Sequence, residues 1–107
     1  MRWDHDGMLV VRSDLADRLD RLQRSAEGLT VRDFAQRLGT IRTLAAAYGL
    51  APVVALADAF ERAILSQPRG CPAGIYFERL RDAIGCERLD DQASQALLAS
   101  VSLRLAG

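Results

Sequence analysis

The chain is 107 residues long and half apolar, and its fourteen basic residues, every one an arginine, balance fourteen acidic ones. This length suits a single domain, residues 1–107, that buries roughly 60–70% of its unfolded surface without staples. Zero net charge leaves no electrostatic footprint for a nucleic-acid backbone or a membrane surface, and the absence of lysine excludes Schiff-base chemistry.

Residues 1–11, MRWDHDGMLVV, read as a flexible or arm-like N-terminus. Their apolar run, MLVV, is too short for a signal peptide or a membrane span, so a cytoplasmic location is expected. His5 is the sole histidine; flanked by Asp4 and Asp6 in a terminal segment, it reads as part of a polar tail. Ser13 is placed to cap a first helix, more polar than the rest, with Leu15, Leu19, Leu22 and Ala26 on one face and a solvated mix of Asp and Arg on the other. Gly28 ends it.

Thr30 and Asp33 resemble a capping box at the start of a second helix that buries Val31, Phe34, Leu38, Ile41, Ala45 and Tyr48. Gly49 suits its left-handed C-cap. Pro52, favourable in a first helical turn, opens a third helix with Val53, Leu56, Ala57, Phe60 and Ile64 on its apolar stripe. With so short a connection, the second and third helices must form an antiparallel hairpin. Residues 66–72, SQPRGCP, are the clearest loop. A fourth helix runs to Gly85 with Ile75, Phe77, Leu80 and Ile84 inward, and Asp90 or Asp91 caps a fifth carrying Leu97, Leu98, Val101 and Leu105. The expected fold is all-α: an up-and-down four-helix bundle with an additional short or more polar N-terminal helix.

The sequence offers little for catalysis. Cys71 and Cys86 stand apart from each other and from His5, which suits free thiols in a reducing compartment and no metal site. No serine shares a face with a base, and the glycines do not form a phosphate loop. Neither an enzyme nor a cofactor is expected. One face of the second helix is unusual, however. Away from its core stripe lie Gln36, Gly39, Thr40, Arg42, Thr43 and Ala46, among which Gly39, Thr43 and Ala46 are small residues at i, i+4 and i+7. Gly39 is unfavourable by about 1 kcal/mol relative to alanine inside a helix. Such a strip suits either close helix packing or the docking of a partner.

Residues 33–64, DFAQRLGTIRTLAAAYGLAPVVALADAFERAI, resemble the central hairpin of histidine-containing phosphotransfer (HPt) domains. In that family the phosphate-accepting His is followed by an aliphatic residue two positions later, a basic one three later, a small one four later and a Gly ten later. Here Ile41, Arg42, Thr43 and Gly49 match those positions, Glu61 matches an acidic residue common near the end of the next helix, and Gly39 stands where the histidine belongs. The resemblance implies a bacterial two-component signalling module that binds the receiver domain of a response regulator, or a histidine kinase, through Gln36, Gly39, Thr40, Arg42, Thr43 and Ala46. Without an imidazole there is no nucleophile to take phosphate from an aspartyl phosphate. The alternative expectation is a self-associating helical protein whose homodimer face combines Trp3, MLVV and the apolar residues left over on the last helix, such as Leu98 and Leu103.

Overall fold

The computed structural model describes residues 5–86 and 91–106. They form five α-helices: α1 (His5–Ser25), α2 (Val31–Ala47), α3 (Ala51–Ser66), α4 (Ala73–Gly85) and α5 (Asp91–Ala106), with a 3-10 turn at Ala26–Gly28. No strand occurs among the described residues.

The helix ends follow from local chemistry. Thr30 is extended and its Oγ1 accepts the Asp33 amide at 3.1 Å, satisfying a first-turn N–H that has no partner inside the helix. At the other end of α2, Gly49 takes φ +72°. The Gly49 amide donates to the Ala46 carbonyl at 3.2 Å and the Leu50 amide to the Ala45 carbonyl at 3.0 Å, a Schellman closure that drives Leu50 fully into the core. Pro52 lies in the first turn of α3, where its missing N–H leaves no bond unmade. The chain therefore reverses within a few residues. A Cβ at Gly49 would meet nothing within 4 Å, so the only penalty for a side chain there is the left-handed backbone. Gly49→Ala is expected to lose about 1–2 kcal/mol in urea denaturation.

The helices pack around one core. α2 and α3 make the most extensive pair; α4 packs on α3, and α1 closes the ring against α2 and α4. α5 lies along α3 and α4. Leu15, Leu19 and Leu22 of α1, Leu38 and Ile41 of α2, Val53, Leu56 and Phe60 of α3, and Leu80 of α4 are all buried. Phe34, Phe60, Tyr76 and Phe77 join α2, α3 and α4 through ring contacts of 4.8–6.0 Å, three edge-to-face and one stacked. The Cα radius of gyration is 13.4 Å, as expected for a compact chain of about 100 residues.

Two expectations for the N-terminal region change. The first helix is the longest, at 21 residues, and supplies the core as fully as the others. It begins at His5, so most of the segment expected to be an arm is helical, and Ser13 stands exposed in mid-helix. The cause is tertiary: Val11 is buried and Met8 packs on the core, one and two turns ahead of Leu15. The C-terminal α5 packs on α3 and α4 and adds Val101 to the same core. Trp3, Asp4 and Asp90 lie outside the described residues.

Candidate protein-docking site

The core stripe of α2 fixes what its opposite face shows. With Phe34, Leu38, Ile41 and Ala45 buried, Gln36, Thr40 and Thr43 project outward as an exposed ridge. Gly39, Arg42 and Ala46 turn from that ridge toward α3, and Gly39 and Arg42 are half-buried. Five of the six residues singled out from the sequence, Gln36, Gly39, Thr40, Arg42 and Thr43, line one shallow groove of about 610 Å³. Ala46 does not. It is exposed beside a separate depression near the α2–α3 turn, with Gly49, Val54 and Ser94.

Glu61 of α3 forms the opposite wall. Its Oε2 accepts a hydrogen bond from Arg42 Nε at 2.6 Å, with the Glu61 side chain 17% exposed and that of Arg42 39%. This hydrogen bond, and after it the carboxylate charge, raise the Arg42 pKa above its ordinary value, so the guanidinium stays charged throughout the physiological range. The pair spans the helix seam directly above Gly39. A Cβ on Gly39 would stand 3.3 Å from Glu61 Oε1 and 3.8 Å from an Arg42 terminal nitrogen. Glycine therefore gives the carboxylate room to lie over the α2 backbone. No apolar side chain and no neighbouring backbone presses on that position; the close atom is the end of a flexible side chain.

Gly39→Ala sets two small effects against each other. Alanine gains up to about 1 kcal/mol of helix propensity, and the new methyl pushes the Arg42–Glu61 pair outward by a few tenths of an ångström. A net stabilisation of about 0.5 kcal/mol is expected in urea denaturation. A loss above about 1 kcal/mol would show that Glu61 cannot yield.

Sequence reasoning did not foresee how the groove continues. At its α3 end a second shallow depression shares Ala35, Gln36 and Glu61 and adds Val31, Arg32 and Leu65. Leu65 is 58% exposed, an apolar contact point at the end of the groove. Its signal in the sequence was a leucine one position beyond the stripe that ends at Ile64. Arg18 of α1 also reaches the groove.

Among the described residues, no three His, Cys, Asp or Glu side chains come together as metal ligands, and no helix is long and apolar enough to cross a membrane. The Thr40 hydroxyl donates to the Gln36 carbonyl at 3.2 Å, an intrahelical bond that supplies no base for a nucleophile. Cys71 is half-buried, and desolvation pushes its thiol pKa up, away from the reactive thiolate. No family model, curated protein or solved structure matches this chain.

Proposed function

We propose that this chain is an HPt-like signalling module that docks the receiver domain of a response regulator, or a histidine kinase, in cytoplasmic two-component signalling without accepting phosphate. The observation that carries the reading is the open groove over Gly39. The frame residues Ile41, Arg42, Thr43 and Gly49 surround a surface that a partner can approach, while a paired carboxylate occupies the space beside the residue that stands for the phosphate acceptor. The cyclic order of α1, α2, α3 and α4 supports the four-helix bundle that such a module needs.

The roles follow from the chemistry. Gln36, Thr40 and Thr43 give a smooth, hydrogen-bonding ridge, and Leu65 gives an apolar anchor. Arg42 uses Nε on Glu61, which leaves its terminal nitrogens for a receiver carboxylate or phosphoryl oxygen. A face of this size buries about 600 Å² per partner or less, the range of transient signalling encounters. Regulation would act by competition with a true phosphotransfer partner.

Calorimetric titration against the receiver domains of the same cell tests this. Binding in the micromolar range is expected for at least one, with no label retained when that receiver carries labelled phosphate. Absence of heat for every receiver at about 1 mM removes the proposal.

One observation favours a second reading. Leu9 and Val10 are 52% and 69% exposed on the first turns of α1, an apolar pair suited to self-association. Sedimentation equilibrium decides it: a monomer at about 100 μM leaves the homodimer without support.

A further inference from the structure

We propose that the cleft between α1 and α2 is a binding site for a phosphate-class dianion, a phosphomonoester or phosphoryl group. It is lined by Arg18 and Arg21 of α1 and by Arg37, Thr40 and Ile41 of α2, and encloses about 210 Å³. Among the described residues no carboxylate lines it. In a chain whose fourteen acidic residues balance fourteen arginines, three guanidiniums around one cleft are a local segregation of charge.

The charge balance indicates a dianion. Arg18 Nε is engaged by Asp14 at 3.0 Å, so that pair is nearly neutral. Among the described residues Arg21 Nε donates only to the Asp17 backbone carbonyl, at 3.4 Å, and neither Arg21 nor Arg37 has an ion-pair partner. Two positive charges thus remain uncompensated, against the −1.5 to −2 that a phosphomonoester carries near neutral pH. Guanidinium forks match phosphate oxygens geometrically, and each arginine here keeps several N–H donors free of the contacts just named. Ile41, buried at the cleft floor, lowers the local polarity and strengthens such contacts. The Thr40 hydroxyl already donates to Gln36, so the arginines are the donors that matter. A volume of several water molecules admits a phosphate with part of its hydration shell.

The cleft lies on the α1 side of the Gln36–Thr40–Thr43 ridge, opposite the Arg42–Glu61 pair, and stands whether or not a receiver docks. The phosphoryl group could belong to a free small molecule or to a docked partner, and NMR with labelled arginine side chains separates the two. In one arm inorganic phosphate is titrated into the chain at constant ionic strength set by chloride; in the other, a receiver domain is added with and without beryllofluoride. A free-ligand site gives saturable shifts of the Arg21 and Arg37 Nε–H signals with phosphate alone. A partner-borne group shifts them only with the beryllofluoride receiver, and this arm alone rests on the docking reading. The double variant Arg21→Gln/Arg37→Gln, which alters two exposed side chains, is expected to weaken binding at least about tenfold. In the double variant the remaining reporter is the Arg18 Nε–H signal. Shifts in neither arm for the unaltered chain, or a saturable Arg18 shift whose midpoint is unchanged in the double variant, overturn the proposal.

Discussion

Phe60→Ala is expected to destabilise the chain by about 3–5 kcal/mol. Phe60 is fully buried on α3, the helix that touches α2, α4 and α5. Its ring lies 5.4 Å from Phe34, 5.2 Å from Phe77 and 4.8 Å from Tyr76, so truncation removes three aromatic contacts along with the transfer free energy of the ring. Ring neighbours from two other helices cannot close the void without moving those helices. Urea denaturation measures the loss, and a value under about 1 kcal/mol would mean that the aromatic cluster repacks around the cavity.

Arg42→Glu has the largest expected effect on docking. It places a second carboxylate against Glu61, whose side chain is 17% exposed and would lose its hydrogen-bond donor. Two carboxylates in one half-buried seam repel, so Glu61 swings outward and the groove over Gly39 changes both shape and sign. Receiver affinity is expected to fall by at least about tenfold, with a stability loss of about 1 kcal/mol. Arg42→Gln keeps a donor toward Glu61 and should keep most of the stability while losing the charge contact with the receiver. Parallel calorimetry and denaturation of the two variants separate pairing from docking. Equal receiver affinity for both variants and the unaltered chain would remove Arg42 from the interface.

The fold was most legible where one residue carries a local task. Thr30 caps, Gly49 turns left-handed and Pro52 starts a helix through interactions within a few positions of each, and their elements stand close to where spacing puts them. The start of α1 was less legible. MLVV matches no clean helical stripe, and Ser13 has the chemistry of a cap, yet contacts of Met8 and Val11 with the distant core carry the helix back to His5. Leu97 and Leu98 of α5 are adjacent in sequence and both partly buried against the core, so the two-sided apolar pattern that suggested a dimer face is in part an internal contact.

For the candidate site, a single helical wheel placed Gln36, Thr40 and Thr43 outward but gave no view of the neighbouring helices. The Glu61 carboxylate over Gly39 joins residues nineteen apart from Arg42 across a hairpin. Arg18 and Arg21 read as part of a solvated face because nothing in α1 alone shows that Arg37 stands across a cleft from them. Contacts between elements, with no periodicity of their own, are the part that sequence spacing does not carry.

The most direct measurement is an amide NMR titration of the isotope-labelled chain with the receiver domains of the same cell. Shifts confined to Gln36, Gly39, Thr40, Arg42, Thr43 and Leu65 and their immediate neighbours, with no phosphorylated side chain formed, are the predicted result. Shifts centred on Leu9 and Val10, or none at about 1 mM receiver, would contradict a docking surface on the α2–α3 hairpin.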